Sequence, residues 1–200
     1  MKILVGCEES QAVAKAFDEL GHEAYSCDLQ DCSGGRPDIH IKSDIFHVLH
    51  SVKFSISLDL FIAHPECRYL ANSGVRWLYN SDGSKNIDRW NKMESAALFF
   101  KALLNSNCDR ICIENPIMRH AVERVGRKQD QIIQPWQFGH GETKPTCLWL
   151  KGLPKLVPTN MVSGREPRVH HASPGPDRWK ERSRTLPGIA AAMADQWGSL

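Results

Sequence analysis

Apolar positions along the first third of the chain follow two periods in turn. Lys2-Ile-Leu-Val-Gly6 is a short apolar run, after which Ala12, Val13, Ala16, Phe17 and Leu20 recur at helical spacing. The run predicts a buried strand and the spacing predicts one face of a helix, with Ser10 placed to cap it and Gly21 to close it. Residues 22–28 read as a second strand that ends in an acid, Asp28. A strand, a helix and a strand in succession open a doubly wound sheet. Residues 31–37 are a Gly-rich loop, 39–41 a short strand leading to Asp44, and Ile45–Leu49 a short helix.

The pattern continues with a strand over 58–63, a helix over 69–79, a polar turn over 80–86 and a long helix over 87–105. Trp90, Met93, Ala97, Phe100 and Leu104 form one face of that long helix. A strand over 110–113 follows. Beyond Pro116 the periodicity fades: a helix over 118–124, strands over 131–138 and 146–150 joined by a polar loop, and a proline-rich irregular stretch over 152–184. Residues 186–197 make a closing helix with Pro187 in its first turn. The expected architecture is α/β: a Rossmann-like, mostly parallel, doubly wound sheet in one domain spanning 1–200, with 152–184 as an insert before the last helix.

Composition changes this picture little. The chain is 42% hydrophobic and 24% charged with a net charge of +2, so bulk charge names no partner. Its distribution says more. Arg165, Arg168, Arg178, Lys180, Arg182 and Arg184 crowd the segment 164–184, with His170 and His171, against Glu166, Asp177 and Glu181. This is a candidate phosphate-facing surface or a solvated loop. The seven cysteines include no CxxC pair, which points to reduced thiols in a cytoplasmic protein and to no structural metal; Cys27, Cys32 and His40 fit no zinc spacing. No run reaches membrane-spanning length, so no membrane partner is expected.

The chemistry gathers where two strands stop. Asp59-Leu-Phe-Ile-Ala-His-Pro-Glu-Cys67 and Arg110-Ile-Cys-Ile-Glu-Asn-Pro116 are apolar runs that end in polar clusters. Ligands in open α/β sheets bind beyond the carboxyl ends of such strands. Cys67 and Glu114 would then face one cleft, a thiol for covalent attack beside an acid, with His64 and Asn115 alongside. The first turn, Gly6-Cys7-Glu8-Glu9-Ser10, carries two acids that repel phosphate and suit a cationic or hydroxyl-bearing ligand. Asp28 stands where nucleotide-binding folds place an acid on ribose hydroxyls, and Asp44 lies near the next strand end. Gly6, Glu8, Glu9, Ser10, Asp28 and Asp44 together describe a site for a nucleoside carrying an amino acid, which is S-adenosylmethionine. Each acid alone has a second reading, a carboxylate at a helix N-terminus, which suits Glu9 better than Asp28.

In this order the motifs resemble those of the DNA cytosine-5 methyltransferase family, over roughly residues 1–120 and more weakly the last helix, and the chain looks like small phage and prophage proteins of this type. The matching residues are Cys67 in His64-Pro-Glu-Cys67 and Glu114 in Ile113-Glu-Asn-Pro116. The resemblance implies an S-adenosylmethionine-dependent enzyme in which Cys67 adds to carbon 6 of a pyrimidine while Glu114 binds the ring. The implied partner is DNA or a pyrimidine nucleotide. Glu66 replaces the family's proline before the cysteine, Cys7-Glu8-Glu9 replaces its glycine-rich turn, and 152–184 replaces a large recognition region. In the absence of that region Arg165, Arg168, Arg178, Lys180 and Arg182 are the expected nucleic-acid contacts. Two other readings stay open: a pyrimidine-modifying enzyme using a free nucleotide or another donor, and a catalytically silent nucleic-acid- or protein-binding module.

Overall fold

The structure, a computed structural model, describes residues 1–171, 175 and 178–200. Seven strands form one sheet in the order β3-β2-β1-β4-β5-β7-β6. These are β1 (Lys2–Gly6), β2 (Glu23–Asp28), β3 (His40–Lys42), β4 (Leu60–Ala63), β5 (Ile111–Asn115), β6 (Gln131–Ile133) and β7 (Thr146–Lys151). The first five pair in parallel, while β7 runs antiparallel to both β5 and β6. The chain reverses outward from β1 to β3 and then from β4 to β6, so the sheet is Rossmann-like, and β1 and β4 flank the switch point.

Alternate strand residues supply two cores. Leu4, Phe61, Ala63, Ile111 and Ile113 face a layer that includes α2 (Ile45–Leu49), α3 (Val52–Ser55), α4 (Ile87–Leu104) and α5 (Val122–Val125). Ile3, Val5, Leu60, Ile62 and Cys112 face α1 (Ala12–Glu19) and α8 (Pro187–Trp197). Burial on both faces explains why the strands read as unbroken apolar runs rather than as alternating ones. Trp149 and Trp197 are fully buried, and each indole N–H reaches a carbonyl, of Arg127 and Pro154 respectively. Two shorter helices, α6 (Arg168–His171) and α7 (Arg178–Ser183), lie in the segment expected to be irregular.

Four elements differ from the sequence expectation. Residues 69–79 hold a 3-10 segment, Asn72–Leu78, rather than an α-helix. The strand expected over 131–138 stops at Ile133, because Pro135 starts a 3-10 turn over Pro135–Gln137. A one-turn helix, α3, precedes β4. Ser10 does not cap α1; Glu8 does, its two carboxylate oxygens accepting from the N–H groups of Val13 at 2.6 Å and Ala14 at 3.2 Å. The cause lies in the turn. Cys7 and Gln11 both adopt positive φ, 56° and 59°, which swings Glu8 rather than Ser10 under the helix. Gln11 is held there by three hydrogen bonds of its buried amide: to the Arg36 carbonyl, to Ser26 Oγ and from the Arg36 N–H. Such surroundings sustain a strained backbone that costs about 1–2 kcal/mol per residue.

Candidate active site at the carboxyl ends of β1, β4 and β5

The parallel register places Ala63 opposite Ile113. The next residues, His64 just past β4 and Glu114 next to last in β5, therefore meet at the carboxyl ends of the two strands, and His64 Nδ1 lies 2.9 Å from Glu114 Oε2. Both side chains are nearly buried, 10% and 12% exposed. Burial raises the Glu114 carboxyl, but the hydrogen bond and charge of His64, with Lys144 behind them, outweigh it and hold the group below the usual carboxylate range. Burial lowers His64, yet the hydrogen bond and charge of Glu114 and the charge of Glu8 bring it above its ordinary value. The two form a charged pair. His64 Nε2 is buried with no partner.

Cys67 follows on the same loop and is half-buried. Burial and then the Glu114 charge push its thiol up, Glu66 adds to the rise, and Lys144 opposes it. Electrostatically, then, Cys67, Glu114, His64 and Lys144 share one site. Asn115 fixes the loop from below: its Nδ2 donates to the Pro65 carbonyl at 2.8 Å, while its Oδ1 is buried without a partner. His64, expected alongside the thiol and the acid, hydrogen-bonds the carboxylate. Lys144 lies in the polar loop before β7, and its Nζ donates to the Arg184 carbonyl at 3.2 Å. A cavity of about 10 Å³, room for about one water, is lined by Glu114, Lys144, Thr146, Thr185, Leu186, Ile189 and Met193.

The turn after β1 lies beside this pair. Gly6 leaves room for its neighbours: a Cβ there would crowd Ile45 Cδ1 at 2.8 Å and Phe61 Cε2 at 3.2 Å. Glu8 is buried, caps α1 and faces His64 electrostatically; burial raises its carboxyl. Glu9 Oε2 is buried with no partner, an acceptor in want of a donor. The Ser10 carbonyl borders Gly34 closely. Asp28 Oδ1 accepts the Gln30 N–H at 3.0 Å, and Asp44 Oδ1 caps α2 through Phe46 and His47. Burial pushes the Cys7 thiol up to about 12, with Asp28, Cys27 and Asp44 adding to the rise. The structure thus gathers Cys7, Asp28 and Asp44 at one rim. Acids and an unpartnered carboxylate oxygen there fit a ligand that presents an ammonium and hydroxyls.

Of the basic segment, Arg184 reaches this site: its carbonyl accepts from Lys144 Nζ, and the next residue, Thr185, lines the cavity. Arg165 stacks on Trp136 at 3.9 Å and donates to Val162 and Gly164 carbonyls. Arg168 pairs with Glu166 at 2.8 Å and approaches Glu142 at 3.8 Å. Arg178, Lys180 and Arg182 lie on α7, and Arg182 Nε is buried without a partner. Asp177 and the side chains of His170, Trp179 and Glu181 lie outside the described residues. His40 is spent on Ser26 Oγ and the Gln30 carbonyl, and Cys27 on the Ser43 carbonyl. No helix among the described residues is long and apolar enough to cross a membrane.

No protein-family model matches the chain. No curated protein matches it either. Among solved structures it is similar to a candidate DNA modification methyltransferase encoded within a prophage (E. coli), at TM-score 0.49 and 11% identity over 87% of this chain and 55% of that one. It is also similar to a mutant of Spodoptera frugiperda DNMT2, at TM-score 0.44 and 15% identity over 84% of this chain and 54% of that one. The chain spans about half the length of each. Strand order and register, rather than these likenesses, carry the fold assignment.

Proposed function

We propose that the chain is an S-adenosylmethionine-dependent methyltransferase that acts on a pyrimidine, in nucleic acid or as a nucleotide, through an adduct on Cys67. The observation that carries this reading is a histidine-held carboxylate at the end of β5 whose charge acts on the Cys67 thiol of the loop after the neighbouring β4, beside an acid-lined turn. Asp28 and Glu9 would hold the cofactor's hydroxyl and ammonium groups, with Gly6, Ser10 and Asp44 shaping the rim and Glu8 fixing α1 beneath it. When bound, the cofactor supplies an electrophilic methyl group.

The residues of the chain do the rest. Carbon 5 of cytosine is a poor nucleophile until a thiolate adds at carbon 6 and turns the ring into an enamine. Cys67 rests as a thiol, because burial and Glu114 disfavour its anion. As the sulfur–carbon bond forms the Cys67 proton passes to solvent water, with Lys144 supporting the thiolate; once carbon 5 carries the methyl group its own proton passes to water, the thiolate leaves and takes a proton back. The ring needs a proton donor at nitrogen 3 at the same moment. His64 can return its proton to Glu114, whose carboxyl then donates to nitrogen 3; both groups reset when the thiolate leaves. The pair is a stored proton in a low-dielectric site, where such interactions count most. A cavity of about 10 Å³ is too small for a pyrimidine, so base entry opens the Lys144–Arg184 contact, and Arg165, Arg168, Arg178, Lys180 and Arg182 are the proposed phosphate contacts. In a duplex the base must also be flipped out.

The test is transfer of labelled methyl from S-adenosylmethionine to pyrimidine-containing oligonucleotides and nucleotides. Transfer that disappears in Cys67→Ala while cofactor binding persists supports the reading; transfer that survives in Cys67→Ala, or no transfer to any pyrimidine, overturns it. The raised Cys67 thiol favours a second reading, a silent binding module, for which ligand binding without transfer is expected.

A further inference from the structure

The surface beside Cys67 has features the reaction does not use. After Cys67 the chain turns through Leu70 and Ala71, whose N–H groups both reach the Cys67 carbonyl, and enters the 3-10 segment. This segment leaves Trp77 54% exposed and Tyr79 46% exposed. The Arg76 guanidinium stands 4.5 Å from the centre of the Trp77 ring. Arg68 and Arg89 both face Tyr69, at 5.6 Å and 4.5 Å. Gly74 makes room for this, since a Cβ there would sit 2.7 Å from Arg89 Nη2, which instead donates to the Arg68 carbonyl. Arg119 joins from the β5 side, its N–H donating to Asn72 Oδ1.

The charges on this face are uncompensated. Among the described residues no ion pair involves Arg68, Arg76, Arg89 or Arg119, whereas their neighbours Lys92 and Arg124 are paired with Asp88 and Glu94. Alongside runs a groove of about 350 Å³ lined by Glu66, Tyr69, Lys92, Ser95, Ala96 and Phe99. That volume admits a small ligand group, and two of its walls are aromatic.

We propose that this face, centred on Trp77 and the arginines beside it, binds a single-stranded polynucleotide. The proposal rests on nucleic acid being what the Cys67 site acts on, and it names which form. Exposed aromatic rings next to unpaired arginines make a stacking platform with a phosphate-attracting border, which takes bases irrespective of sequence. A duplex hides its base faces and offers Trp77 nothing to stack on. A single strand offers them freely, and the groove beside Glu66 takes a base one or two positions from the one at Cys67. Ribose or deoxyribose satisfies this chemistry equally, so the test carries both sugars.

Fluorescence anisotropy of labelled twelve-nucleotide strands, without cofactor, reads binding alone. Single strands, of DNA, RNA or both, should bind at least about tenfold tighter than the matching duplex, and Arg76→Ala/Trp77→Ala should weaken them by about tenfold or more. Both side chains are exposed, so the melting temperature should hold, and Arg68→Ala/Arg119→Ala gives a second variant that should flatten the salt dependence. Single-strand binding without methyl transfer supports this surface while sinking the proposed activity. Equal or tighter duplex binding, or an unchanged affinity in both double variants, overturns the surface whatever the activity.

Discussion

Replacing Glu114 by glutamine removes a charge from the His64 pair and keeps its shape. The two side chains are 12% and 10% exposed and 2.9 Å apart, so little solvent screens them. Glutamine can still accept from Nδ1, and the loss is the difference between a charge-assisted and a neutral hydrogen bond, about 1–2 kcal/mol. Alanine leaves a buried imidazolium without a partner and should cost about 3–5 kcal/mol. The sign with pH follows from the two shifts. The raised His64 contributes stability that is complete below its unfolded value of 6.5 and is lost as pH rises through the folded value. The lowered Glu114 contributes stability that is complete above its unfolded value of 4.5 and is lost as pH falls through the folded value. The parent's advantage over Glu114→Gln should therefore be largest between pH 4.5 and 6.5 and shrink on both sides. Urea unfolding followed by circular dichroism across this range measures it, and proton NMR of the imidazole should show the His64 value falling in the variant. An advantage that does not vary with pH, or a His64 value that stays put, would refute the charged pair.

Lys144→Met removes the cation that opposes the rise of the Cys67 thiol, so alkylation of Cys67 near neutral pH, followed by peptide mass spectrometry, should slow by about two- to tenfold; an equal or faster rate contradicts the shared site. Glu8→Ala should destabilise the fold by about 1–2 kcal/mol and speed hydrogen exchange in α1, because Val13 and Ala14 lose their acceptor; unchanged exchange there would return the cap to Ser10. Asp28→Ala should shrink the rise in melting temperature that S-adenosylmethionine gives the parent, a rise driven by about 2.7 kcal/mol of stabilisation at a hundredfold excess over the dissociation constant. A full shift in the variant would remove Asp28 from the cofactor rim.

The sheet was legible because its central strands are buried on both faces, so Lys2–Gly6, Leu60–Ala63 and Ile111–Asn115 read as apolar runs bounded by turns. The long helix α4 was legible for the complementary reason, one buried face at helical spacing. The 3-10 segment was not. Residues 69–79 read as a helix, but the packing of Arg89 against Gly74 is a tertiary fact that the local sequence cannot carry. α6 and α7 are single short elements among prolines, with no apolar face long enough to show a period. At the site, the residue types were visible at the strand ends, while their pairing was not. His64 and Glu114 are fifty residues apart, and only the adjacency and register of β4 and β5 join them. Lys144 was read as one member of a polar loop; its place beside Glu114 depends on β7 entering the sheet next to β5.

The central claim is that Cys67 forms a bond to carbon 6 of a pyrimidine, and trapping that bond tests it most directly. An oligonucleotide carrying 5-fluorocytosine, incubated with the protein and S-adenosylmethionine, should be retained covalently, because fluorine cannot leave carbon 5 as a proton does. Intact mass spectrometry should show one oligonucleotide per chain, with peptide mapping placing it on Cys67 and nothing trapped by Cys67→Ala. No adduct under conditions where the oligonucleotide binds, or an adduct on Cys7 or Cys32 instead, would contradict the account.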